Sequence, residues 1–148
     1  MEDNRKRWDA WREAEDKRSR RKSVQELHSE GYEYFGQSDY RRAAERFHQA
    51  AELAEKQVDV DSQCRELFWE GDCYYWIGKL KLSLERLLRA DALGGGDAGI
   101  RFWIVETLFL VANRLHLPLE KQKELLKKLA PLQRLRADWR VQEYSLGR

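Results

Sequence analysis

Between positions 24 and 57, apolar and small residues recur at helical spacing, and the same order returns forty positions later. Leu27, Glu30, Gly31 and Tyr34 come back as Leu67, Glu70, Gly71 and Tyr74; Tyr40, Ala43, Phe47 and Ala50 come back as Leu80, Ser83, Leu87 and Ala90. Spacings of three, four and seven put Leu27, Tyr34 and Phe47, with their second-copy counterparts, on one face of each helix. The small residues Gly31, Gly71, Ala43, Ser83, Ala50 and Ala90 are the kind that let helix axes approach to about 8–10 Å. Breakers fall between the halves, Gly36-Gln37-Ser38-Asp39 in the first copy and Gly78-Lys79 in the second, so each copy reads as helix, tight turn, helix. A repeat whose fixed positions are apolar or small specifies packing, and it supplies no chemistry.

The order of Leu27, Gly31, Tyr34, Ala43, Phe47 and Ala50 resembles the tetratricopeptide repeat. Leu67, Gly71, Tyr74, Ser83, Leu87 and Ala90 match it more loosely. The resemblance implies an all-α, TPR-like α-solenoid of about three helix pairs. Glu30 and Glu70 depart from it, standing where the family usually has Leu, and Glu55 and Gly95 replace the Pro that usually closes the second helix. The spacing of forty also exceeds the family's 34. A longer connection around Val58-Asp59-Val60-Asp61 is expected to absorb the surplus.

This gives repeat 1 over about 24–57 and repeat 2 over about 64–97, within a domain of 23–148. A less regular third pair covers about 98–130, and a capping helix about 131–145, carrying Leu132, Leu135 and Trp139, closes the apolar end that a solenoid would otherwise expose. Gly94-Gly95-Gly96 reads as a linker, since no Lys-Ser or Lys-Thr follows to serve a phosphate. Asp97 is placed to cap the next helix, as Ser23 with Glu26 forms a capping box at the start of the domain. The apolar run 100–112 contains Arg101 and Glu106 and is too short to span a bilayer, which takes about 20 apolar residues.

Residues 1–22 are different in kind: a charged helix or arm in which Trp8 and Trp11 are the only large apolar side chains after Met1. One turn apart, these two are candidate assembly contacts, pinning the arm to the repeat domain or to another chain.

Charge narrows the partners. The net charge is +2 in 148 residues, with basic ends and an acidic middle. That balance does not favour a dedicated nucleic-acid binder, whose phosphate contacts call for a stronger basic excess. Head-to-tail attraction between subunits stays open. Cys64 and Cys73, nine apart on one expected helix, cannot bridge to each other, and with no secretory leader read at the start the reducing cytosol is the expected compartment.

No catalytic constellation emerges. Glu45 and His48 form a single Glu-x-x-His with no second copy, the two Cys lack zinc spacing, and His28 and His116 have no nucleophile placed by sequence. Neither metal nor cofactor is expected.

The resemblance further implies a ligand surface on the concave face, lined by the first helix of each pair. That places His28, Tyr32 and Phe35 there, beside Gln25, from the first copy, and Arg65, Phe68, Asp72, Tyr75 and Trp76 from the second. His28, Tyr32 and Trp69 stand where some family members carry the residues that clamp a C-terminal carboxylate, so that mode is not expected. Glu30 and Glu70 are either paired with an Arg such as Arg42, Arg46 or Arg86, or are groove acids awaiting a partner's basic group. The expectation is a non-enzymatic adaptor holding a protein or peptide segment. A self-assembling, chaperone-like scaffold is the alternative, and a nucleic-acid-associated factor comes third.

Overall fold

The computed structural model describes residues 2–19, 22–124 and 127. It is all-α, with no strand among the described residues. Six helices are placed in order: α1 (Glu2–Ser19), α2 (Val24–Gly36), α3 (Tyr40–Lys56), α4 (Val60–Ile77), α5 (Leu80–Leu93) and α6 (Ala98–Arg114). Residues 119–124 are helical as well. The expected capping helix, with part of the second helix of the third pair, lies outside the described residues.

Each of α2 to α5 packs on the next helix in the chain, α6 packs on α5, and α4 also touches α2 and α6. Connections of three residues or fewer between α2 and α3 and between α4 and α5 make these pairs antiparallel hairpins. Among the described residues α1 contacts none of the others.

The helix-joining turns explain the forty-residue spacing. Asp39 N–H donates to Tyr34 O, Asp59 N–H to Ala54 O and Lys79 N–H to Tyr74 O, at 2.9, 3.0 and 2.9 Å. The residue before each donor is left-handed: Ser38 (φ 61°), Val58 (φ 55°) and Gly78 (φ 91°). This is one helix-ending turn, used again after α6 at His116 (φ 53°), with the carbonyls of the last turn satisfied by backbone beyond it. Its steps of twenty residues, from 38 to 58 to 78, make each helix and turn a unit of that length. The longer connection expected around Val58 is therefore absent, and α4 starts at Val60 behind the Asp59 cap. Gly36, read as a breaker, is the last residue of α2, and Ser38 takes the left-handed position.

The small positions do what close packing requires. A Cβ on Gly31 would lie 2.8 Å from Cε1 of Phe47, and one on Gly71 would lie 2.8 Å from Cγ of Leu87. Phe47 and Leu87 are fully buried, so each hairpin closes by seating the large residue of its second helix on the glycine of its first. In α6 the buried residues Ile104, Thr107, Leu108 and Val111 repeat the order Leu67, Glu70, Gly71, Tyr74 at a step of 37. Leu108 there occupies the glycine place.

Gly94-Gly95-Gly96 is folded against α4 rather than being a free linker. Gly96 N–H donates to Asp61 at 2.8 Å, and a Cβ on Gly95 would meet Val60 Cγ1 at 2.9 Å. Asp97 caps α6 by accepting from Ile100 N–H at 2.8 Å. No described helix is long and apolar enough to cross a membrane.

Candidate functional site

Helix α4 carries the two groups that tie the hairpins together. Glu66 and Glu70, one turn apart, are both fully buried. Glu66 lies 2.8–2.9 Å from His28 Nδ1 on α2 and accepts from Arg65 Nε at 3.0 Å. Glu70 accepts from Arg86 Nε on α5 at 2.9 Å and lies 3.1 Å from His48 Nδ1 on α3. A buried carboxylate is tolerated only when bound in this way. Glu30 is partly exposed, with Arg46 Nε at 2.9 Å and Lys22 also paired to it. The Lys22 hydrogen bond, reinforced by the two positive charges, holds its carboxyl below the usual range. Both unusual glutamates are thus engaged by cations of this chain, Arg46 and Arg86 among them. His48, read beside Glu45, bridges Glu52 and Glu70 instead.

Above this charged seam runs a strip of rings. Trp69 is its hub, with the rings of His28, Tyr32, Phe35, Phe47 and Phe68 at centroid distances of 5.4–6.1 Å. From Phe35 the strip continues to Tyr40 at 5.2 Å, to Trp76 at 5.9 Å and to Tyr75 at 5.6 Å. It ends where the Arg114 guanidinium of α6 lies 5.2 Å from the Tyr75 ring. Such ring pairs hold one another in fixed orientation. Two members remain open to solvent, Tyr32 at 57% and Trp76 at 56% exposure.

Of the residues expected to line a groove, His28, Tyr32, Phe35, Tyr75 and Trp76 belong to this strip, and Arg65 is spent on Glu66. Phe68 is buried in the main core with Leu67, Leu87, Ile104 and Leu108, so its side chain packs the hairpins together. Asp72 is partly buried on α4, and its carboxyl is pushed up to about 6 by burial, with the Trp76 indole N–H acting against the rise. No ion pair to Asp72 is formed among the described residues. Trp8 and Trp11 stand on α1, exposed and stacked at 5.2 Å.

The residues that sequence reasoning did not bring to the site are Trp69, Tyr40 and Glu66. Trp69 stands where the resemblance puts a carboxylate-clamp residue, and nothing in that place signals that its ring meets five others.

The remaining chemistry-bearing groups are quiet. Cys64 and Cys73 are free and buried, and burial raises both thiols, so neither is an activated thiolate. No cluster of three or more His, Cys, Asp or Glu able to hold a metal exists among the described residues. An open polar recess of about 260 Å³ is lined by Lys22, Glu30, Glu33, Tyr34, Gln37 and Arg46, whose opposite charges largely satisfy each other.

No family model matches the chain, and no curated protein or solved structure matches it.

Proposed function

We propose that this chain is a non-enzymatic adaptor of the cytoplasm, a TPR-like solenoid that holds a segment of another protein on its aromatic strip. The observation that carries this reading is the exposure of Tyr32 and Trp76 on a strip of rings that joins them through Trp69, Phe35 and Tyr40. Large rings left open to water on a rigid support provide contact area at little entropic cost, and this is how binding hot spots are built. The cross-hairpin bonds of Glu66 and Glu70 support the reading, because they fix the spacing of the helices that carry the rings.

Placing a photo-crosslinking residue at Trp76 in the native cell, and mapping the captured segment, tests this directly. The purified segment should bind the wild-type chain and lose at least about 30-fold in affinity to Tyr32→Ala/Trp76→Ala, as hot-spot truncations do. Unchanged affinity would sink the groove reading. A self-assembling scaffold is the second reading, favoured by one specific observation: α1 presents an exposed, stacked tryptophan pair.

A further inference from the structure

Two surfaces of this chain are each left incomplete, and their chemistries match. Trp8 and Trp11 of α1 are 59% and 51% exposed, and their rings stack at 5.2 Å to make one apolar face. Arg12 stands four residues after Trp8, and Arg7 four residues before Trp11, so both guanidinium groups originate on that same face. Among the described residues α1 touches no other helix. Most helical stability in proteins comes from the packing of one face, so α1 gains from a surface that covers its tryptophans. On the strip, Tyr32 and Trp76 are open to solvent, and Asp72 beside Trp76 has no cation paired to it among the described residues.

We propose that α1 of one chain docks on the aromatic strip of a second copy, with Trp8 and Trp11 against Tyr32 and Trp76 and an arginine of the arm at Asp72. The exchange is reciprocal, so a closed dimer leaves neither arm nor strip uncovered. The occupant is a helix laid in a groove and anchored by side chains one turn apart. The ion pair adds selection for an arm with a basic group beside its rings, since Asp72 facing an uncharged anchor would be buried further without compensation. A second copy is favoured over the chain's own strip because α1 stands clear of α2 to α6 in the structure. This inference rests on the strip being a binding surface, and it assigns that surface a resident occupant with which any other partner must compete.

The test uses the full-length chain and analytical ultracentrifugation. The wild type is expected to dimerise. An arm variant, Trp8→Ala/Trp11→Ala, and a strip variant, Tyr32→Ala/Trp76→Ala, are each expected to weaken the dimer by at least about 30-fold. The arm variant alters exposed side chains on a helix that touches no other helix among the described residues, so loss of folding does not confuse its result. Mixing the two variants decides the geometry: one intact arm and one intact strip remain, on different chains, and a heterodimer is expected. Asp72→Asn should weaken association on its own.

A wild type that stays monomeric at about 100 μM, or a dimer indifferent to both variants, overturns the proposal. So does a monomer whose α1 amides are protected from hydrogen exchange, because the arm then lies on its own chain. If the wild type is monomeric and the crosslinked segment still depends on Tyr32 and Trp76, only this inference fails. If that segment also ignores Tyr32→Ala/Trp76→Ala, the adaptor reading fails with it.

Discussion

The carboxylate of Glu70 is fully buried and is held by the Arg86 guanidinium, Nε to Oε2, at 2.9 Å across the α4–α5 hairpin. The same carboxylate pushes the neighbouring Tyr74 phenol up to about 12, after burial itself. Removing one member of such a pair strands the other without water, whereas removing both replaces a charged contact with an apolar one. Arg86→Ala should therefore cost about 3–5 kcal/mol of unfolding free energy in urea titrations. Glu70→Leu/Arg86→Leu should lose much less than the sum of the single changes. A loss below about 1 kcal/mol for Arg86→Ala would show that Glu70 finds water or another cation when Arg86 is gone.

The packing half of this arrangement is legible in the sequence, and the polar half much less so. Ala43, Phe47, Ala50, Leu87 and Ala90 fall at helical spacing and are buried, because periodicity reports directly which side of a helix meets its neighbour. The caps at Ser23 and Asp97 follow from local chemistry within three residues. Glu66 and His28 are 38 positions apart, and nothing local distinguishes a buried glutamate from those on the solvated faces. The turns escaped for a related reason: of Ser38, Val58 and Gly78 only the last carries glycine, the residue that announces a left-handed conformation. The surplus in the repeat is not a long connection, since only three residues join α3 to α4.

Gly31 and Gly71 are the tightest points of the two hairpins. An added methyl at either would sit 2.8 Å from a buried carbon, of Phe47 or of Leu87 respectively, and one of the two helices would have to move. Gly31→Ala and Gly71→Ala are each expected to destabilise the domain by about 1–3 kcal/mol, as overpacking does, even though alanine is the better helix former. Phe47→Leu should recover part of the loss in Gly31→Ala and none of it in Gly71→Ala. Thermal unfolding of the four variants checks this, and a stabilised Gly71→Ala would contradict the contact geometry.

Val58 is a β-branched residue at φ 55°, and it is 82% exposed. Its side chain contributes almost no burial while its backbone is held where L-residues are strained by about 1–2 kcal/mol. Glycine removes that strain but adds freedom to the unfolded chain, which returns part of the gain. Val58→Gly is expected to raise stability by about 0.5–1 kcal/mol, and Val58→Ala to change it little. Paired urea titrations distinguish the two; equal effects would mean that the turn is not held left-handed in solution.

Asp72 gives the fold a defined pH dependence. Its carboxyl is raised by burial from 3.8 to about 6, so between those values the folded chain holds more protons than the unfolded one. Stability from this group therefore falls as pH rises from about 4 to about 6 and is level above that. Glu30 acts in the opposite sense: its carboxyl is lowered chiefly by the Lys22 hydrogen bond, and its contribution is lost as pH falls through the folded-state value. Comparing Asp72→Asn with its parent cancels the Glu30 effect. Both chains should carry Trp8→Ala/Trp11→Ala, so that association does not enter. At pH 7 the Asn variant should be more stable, by at most about 3 kcal/mol from a shift of two units and by about 1–2 kcal/mol once partial access to water is allowed for. At pH 3.5 the two should coincide. A difference that persists unchanged down to pH 3.5 would assign the effect to packing of the amide, and the carboxylate would then not be the group that burial penalises.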